Sequence, residues 1–251
     1  MKKQFLITSG LVASLVLVTG CGSNTEEKAK VEDKPKQEEH LDYKNQKSWQ
    51  FESGKSQSPI NIETNKTELM TDLGNIELKY NQTAIDEEDN GHSIQVGLSG
   101  QATINGRQFD LKQVHFHAKS EHTVNGQHYP IEAHFVNAGQ DGRLAVIGVF
   151  FTEGKENPAF ETVLSNVKKG EKVDLNTTLD IPALIPSNKT YYHYLGSLTT
   201  PPLAENIEWY VMENPIEVSK EQIATFNDYY DHNNREVQPL NGRPVLKHTD
   251  N

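Results

Sequence analysis

An unbroken apolar run from Leu144 to Phe151 does most to limit the folds open to this chain. It is rich in β-branched and aromatic residues and has no polar stripe, so it reads as a strand buried on both faces. Around it the pattern stays strand-like. Ile94-Gln95-Val96-Gly97-Leu98 alternates, and Asn105-Gly106 and Asn125-Gly126 are two-residue hairpin signals. Helical patches are few: about Pro158 to Lys168, and about Ser219 to Asp228, with Ser219 as a candidate cap. No internal repeat is visible. The pattern predicts a mainly β domain (α+β with few short helices).

The ends read differently. Lys2 and Lys3 precede an apolar stretch from Phe5 to Val18, and Val18-Thr19-Gly20-Cys21 closes it. Small residues before a cleavage point mark an export signal. A cysteine directly after them resembles a bacterial lipobox, in which Cys21 becomes the lipidated first residue. The other reading is a plain secretory signal with an incidental cysteine, and the position of the chain's single cysteine favours lipidation. The stretch is short for a membrane-spanning helix. From Gly22 to about Lys47 large apolar residues nearly vanish, leaving too little surface to bury against the entropy of ordering. The predicted organisation is a lipoprotein signal peptide over 1–20, a lipidated, disordered, charged linker over 21–41, and one folded domain over 42–251. The protein is then exported and anchored by lipid to the cell membrane, with its domain outside the cytoplasm. A net charge of −11 argues against nucleic acid as a partner. With its only cysteine in the leader, the domain can form no internal disulfide, and a soft-metal site in it must use histidine and carboxylate.

Those residue types cluster in Gln113-Val114-His115-Phe116-His117 and Glu132-Ala133-His134. His115 and His117 are two apart, so on a strand both leave the same face. If Asn125-Gly126 is a two-residue loop, Val124 faces Gln127, His117 lands opposite His134, and His115 is its diagonal neighbour. Three imidazoles then converge on one sheet face, which suits Zn²⁺ with a fourth position left to water. Any one of these histidines alone reads more simply as core or surface. Glu132 and Gln113 share parity with His134 and His115 and are placed to orient the ligand rings. Glu121 shares parity with His115 and His117 if the strand runs that far; alone, either glutamate reads as surface charge.

The blocks around this cluster resemble the alpha carbonic anhydrases. Gln57-Ser58-Pro59-Ile60-Asn61-Ile62 is similar to that family's opening motif, and Asn90-Gly91-His92-Ser93 to its proton-shuttle segment. Ser120-Glu121-His122-Thr123 belongs with the zinc hairpin, Gly196-Ser197-Leu198-Thr199-Thr200-Pro201-Pro202-Leu203 with the active-site loop, and Asn241-Gly242-Arg243-Pro244 with the closing motif. They stand in family order over roughly Tyr43 to Val245. Carbonic anhydrase is itself the type case of a three-histidine catalytic zinc site, so pattern and resemblance are not independent.

The resemblance implies a single domain on a large twisted, mostly antiparallel central sheet with the zinc site on one face. It implies one Zn²⁺ per chain on His115, His117 and His134, with Gln113, Glu132 and Asn241 around them. Thr199 resembles a gatekeeper whose hydroxyl donates to Glu121, and Thr200 a residue touching bicarbonate. Val136, Val146, Leu198, Ile207 and Trp209 resemble the apolar wall that holds carbon dioxide; from sequence alone they also fit ordinary core. Tyr43, Asn90 and Gln95 match polar positions of the shuttle's water network. The implied reaction is reversible hydration of carbon dioxide to bicarbonate and a proton. Zinc-bound hydroxide attacks, and His92 exports the proton because imidazole titrates near neutrality. A homodimer is open to such a chain. Two departures stand out: no internal disulfide, and Ala118 after His117 where animal members often carry tryptophan. The rivals are a catalytically weak surface binding module, which would usually lack a ligand histidine, and zinc-dependent ester hydrolysis as a side activity. Neither H-E-x-x-H nor G-x-S-x-G is present.

Overall fold

The computed structural model describes residues 41–49 and 54–250. The signal peptide, Cys21 and residues 21–40 of the predicted linker lie outside the described residues. Among the described residues no helix is long and apolar enough to cross a membrane.

Among the described residues thirteen strands form one large sheet. Its main path runs Lys172–Thr178, Thr83–Asp89, Ile94–Gly97, Arg107–His117, Ile131–Ala138, Leu144–Glu153, Glu205–Met212, Tyr191–Ser197, Leu246–His248 and Glu68–Leu69. Most neighbours are antiparallel, as expected. The sheet is nevertheless mixed: Leu144–Glu153 pairs in parallel with Glu205–Met212 and Ile216–Val218, and Leu246–His248 with Glu68–Leu69. Leu144–Glu153 lies at the centre with strands on both sides, which explains its unbroken apolar run. Along it the faces separate cleanly. Ala145, Ile147, Val149 and Phe151 enter the larger core, whereas Val146 and Phe150 enter a second cluster with Ile60, Tyr194 and Trp209.

Two α-helices carry aromatic side chains into the larger core: Phe160 from Pro158–Asn166 and Phe226 from Lys220–Tyr229. Their rings lie 5.3 and 6.3 Å from Phe116. Both helices start where their sequences say they should. The Asn157 side chain accepts from the amides of Ala159 and Phe160 ahead of Pro158, and Ser219 forms a reciprocal capping box with Gln222. The first helix stops at Asn166, short of the expected Lys168, as the chain turns toward Gly170 at φ 68°. Asn105-Gly106 and Asn125-Gly126 both adopt the positive φ that a two-residue hairpin loop needs.

One core residue breaks the pattern. Glu87 stands between the valines 96 and 173 of its neighbour strands, is 2 % exposed, and its Oε1 has no hydrogen-bond partner. Burial pushes its carboxyl up from 4.5 to about 8. An acid whose folded pKa is raised stabilises most below its unfolded pKa, and that contribution is lost as pH rises through the folded value. Relative to Glu87→Gln, the native chain should therefore lose on the order of 5 kcal/mol between about pH 4.5 and 8. Denaturant titrations of both proteins across that window check this; parallel curves would refute it.

Candidate metal centre and active site

The face opposite the two helices carries the predicted site in three cross-strand rows. Gln95, His115, His134 and Gly148 form one, and Gln113, Val136, Val146, Trp209 and Tyr194 the next. His117, Glu132 and Phe150 form the third. The hairpin count therefore needs a correction. His134 faces His115, and His117 faces Glu132, so the register is two residues away from the expected one. The turn itself is as expected, with Val124 bridged to Gln127. The chain, however, leaves the sheet after His117, and Thr123–Val124 pairs instead with Asn61–Ile62. An even shift keeps every side chain on its face, which is why the three histidines still meet.

Their ring centroids lie 4.7–5.1 Å apart, and one ring nitrogen from each falls within 4.8 Å of the others. The remaining nitrogens are all engaged. His115 Nδ1 meets Gln113 Oε1 at 2.9 Å, His117 Nδ1 meets the Asn233 carbonyl at 2.7 Å, and His134 Nε2 meets Glu132 Oε1 at 2.9 Å. Gln113 and Glu132 thus hold the rings that parity assigned to them. This leaves Nε2 of His115, Nε2 of His117 and Nδ1 of His134 turned inward. The latter two are buried without any hydrogen-bond partner, an arrangement that costs free energy unless something else binds them. Burial first, then the neighbouring imidazoles, hold His115 well below the ordinary histidine range. His117 is also lowered by burial, against the pull of Glu121. Neutral rings are what metal ligation requires. The donor type and orientation of the three rings, and the lowered basicity of His115 and His117, therefore fit Zn²⁺.

Glu121 is fully buried, not surface charge. Its Oε1 accepts the Arg235 amide at 2.7 Å, and its Oε2 lies 3.9 Å from His134 Nδ1. The expected bond from the Thr199 hydroxyl is not formed: Oε2 has no partner. Thr199 itself is buried in a loop closed by bonds from Leu198 to Ala204 and from Leu203 to Thr200. Val136, Val146, Leu198, Ile207 and Trp209 all belong to the second apolar cluster, and the Trp209 ring stands edge-on to His134 at 4.8 Å. Thr200 is half-buried. Tyr43, on a 3₁₀ turn spanning Tyr43–Ser48, has a buried, unpartnered hydroxyl, and burial followed by the Glu121 charge raises its pKa. Asn90 turns its side-chain oxygen onto the amides of His92 and Ser93, giving the His92 turn its shape. Gln95 pairs with His115, and the charge of His92 is felt at His115.

Asn241 is a further correction. It is exposed, at φ 53°, and its amide donates to the Lys55 carbonyl at 2.7 Å. Its short side chain is committed there and does not reach the ligand histidines. Residues that the sequence reading assigned no role do brace them. Glu132 Oε1 also meets His122 Nδ1 at 2.7 Å, and His122 Nε2 meets the Tyr194 hydroxyl at 2.7 Å, which in turn donates to Ser58 Oγ. Asn233 and Arg235 hold His117 and Glu121. Gly148 is part of the same design: a Cβ there would stand 3.0 Å from Glu132 Oε1.

A wide mixed sheet that buries three inward-facing imidazoles beside an apolar wall defines an enzyme of the carbonic anhydrase type. The sequence model described as eukaryotic-type carbonic anhydrase matches residues 42–249, and the chain belongs to the alpha carbonic anhydrase family. The carbonic anhydrase of Pectobacterium carotovorum is 40% identical over 200 residues, covering 78% of this chain and 81% of that protein. That of Klebsiella pneumoniae is 38% identical over 216 residues, 83% and 87% of the two chains. The alpha-carbonic anhydrase of Thermovibrio ammonificans, solved with the inhibitor sulfanilamide, superposes with a TM-score of 0.74 at 44% identity. The match covers 77% of this chain and 87% of that one. Carbon dioxide and bicarbonate are accordingly substrate and product.

Proposed function

We propose that the chain hydrates carbon dioxide with one Zn²⁺ held by Nε2 of His115, Nε2 of His117 and Nδ1 of His134. The observation that carries this is the pair of buried, unpartnered ring nitrogens on His117 and His134, with the opposite nitrogen of all three rings already fixed. Zn²⁺ supplies a Lewis acid that makes water nucleophilic at neutral pH. The protein's own groups supply the rest. Carbon dioxide rests against Val136, Val146, Leu198, Ile207 and Trp209. Glu121 Oε2, which has no partner in the structure, is the acceptor left for the Thr199 hydroxyl once that side chain turns toward it, and Thr200 contacts bicarbonate. His92 takes the released proton, with Tyr43, Asn90 and Gln95 lining its route.

The test is a carbon dioxide hydration assay on the zinc-loaded protein and on His92→Ala. In weak buffer the variant should turn over about tenfold more slowly or worse, as loss of general acid–base transfer implies, and added imidazole should restore it. Equal turnover in weak buffer would remove His92 from the mechanism.

We further infer that Cys21 carries a lipid that anchors the enzyme outside the cytoplasm. It is the chain's single cysteine and closes an export-type leader. Detergent, but not high salt, should release the native protein from membranes, and Cys21→Ser should appear in the soluble fraction. Salt release of the native form would refute the anchor.

A further inference from the structure

Asn233 commits every polar atom it has. Its carbonyl accepts from His117 Nδ1 at 2.7 Å, and its amide donates to the Ala118 carbonyl at 3.0 Å. In the side chain, Oδ1 accepts from the Ala118 amide at 2.8 Å, while Nδ2 donates to the carbonyls of His92 at 2.9 Å and Phe116 at 3.0 Å. The residue is 2 % exposed, so none of these bonds is exchanged for water at low cost.

The two halves of the residue do different things. The main chain orients a ligand ring. The side-chain amide reaches from residues 116 and 118, at the end of the ligand strand, to the turn that presents His92. That turn has its own internal supports: Asn90 Oδ1 holds the amides of His92 and Ser93, and Asp89 Oδ1 accepts the Gly91 amide at 3.4 Å. They fix the shape of the turn, and the Asn233 amide ties it to the main chain beside His117.

We propose that the Asn233 side chain is a positioning residue for proton export, setting His92 at a constant distance from the three-histidine centre. This rests on the reading of His92 as the proton acceptor. A planar amide suits the task, because it presents one acceptor and two donors in fixed directions to one amide and two carbonyls. A carboxylate of the same shape keeps the acceptor and turns oxygen against both carbonyls.

Asn233→Asp therefore separates the roles, since the main-chain contact to His117 does not depend on the side chain. Zinc affinity, measured by chelator competition, should stay within about threefold of native, well short of the roughly 10–100-fold loss expected when an outer contact to a ligand ring is removed. KM for carbon dioxide should be unchanged. In weak buffer kcat should fall about tenfold, and imidazole should restore it. Hydrogen exchange at the amides of His92 and Ser93 should quicken by about tenfold, as the turn opens locally. If Asn233→Asp does not fold, Asn233→Ser removes the two carbonyl contacts without adding charge and is read in the same way. Unchanged kcat in weak buffer, unchanged exchange, or a loss that imidazole does not repair overturns the proposal. His92→Ala in the same buffers separates the failures. If it keeps its turnover, the shuttle reading falls and this proposal with it. If it shows a repairable loss and the Asn233 variant does not, this proposal alone falls.

Discussion

His134→Ala should abolish zinc binding at stoichiometric metal and reduce carbon dioxide hydration to the uncatalysed rate, with the fold retained. His134 occupies the crossing point of the site. Its Nδ1 faces the other two ligand nitrogens, its Nε2 is held by Glu132, and its ring packs edge-on to Trp209. Truncation removes one of three protein ligands from a site whose fourth position must serve water, so too few donors remain for tight binding. The ring lost is small against the two surrounding clusters, and the cost to folding should be within the range of an ordinary large-to-small core change, about 2–5 kcal/mol. Metal analysis, hydration kinetics and circular dichroism on the same preparation check the three parts. A variant that still binds one zinc and turns over would overturn the assignment.

Glu132→Ala should do less to the chemistry and more to the architecture. Four groups converge on this fully buried carboxylate. Oε1 meets His134 Nε2 and His122 Nδ1, and Oε2 accepts the amides of Glu121 at 2.8 Å and His122 at 2.9 Å. Burial by itself would raise the acid's pKa. The charges and hydrogen bonds of His122 and His134 outweigh it and hold the carboxyl well below the ordinary range. Removing it strands two amides and two imidazoles away from water. The expected cost is about 3–5 kcal/mol, on the order of 10 °C in Tm for a domain of this size. Zinc affinity should fall by about 10–100-fold, as for other outer partners of ligand histidines. Thermal melts of the metal-free protein and chelator competition measure the two separately. A melt unchanged from native would show that the carboxylate is not a structural hub.

The site was more legible in the sequence than the fold that carries it. Parity alone put His115, His117, Gln113 and, on the next strand, Glu132 and His134 on shared faces, because a strand's two-residue period survives any even error in register. The register itself was not legible. Nothing in the residues 118–123 announces that the chain leaves the ladder after His117 to pair with Asn61–Ile62, since that partner lies far away in sequence. The same limit hid Asn233, Arg235 and Tyr194: each reaches the site from another part of the chain, and no local period marks such a contact. His122 was visible within its motif, but its tie to Glu132 depends on the excursion that the hairpin count did not contain. Asn241 erred in the opposite direction, because its motif was legible and its distance from the ligands was not. Gly148 shows how a tertiary demand can look like noise, a gap in an apolar strand that leaves room for the Glu132 carboxylate.

Among the described residues a second group, His122, Glu132 and His134, also brings three donor atoms within 4.8 Å, which makes one measurement decisive. It is anomalous diffraction at the zinc edge from crystals of the native protein. A single peak bonded to Nε2 of His115, Nε2 of His117 and Nδ1 of His134 is the expected result. A peak bonded instead to His122, Glu132 and Nε2 of His134, or no peak at full zinc loading, would contradict it.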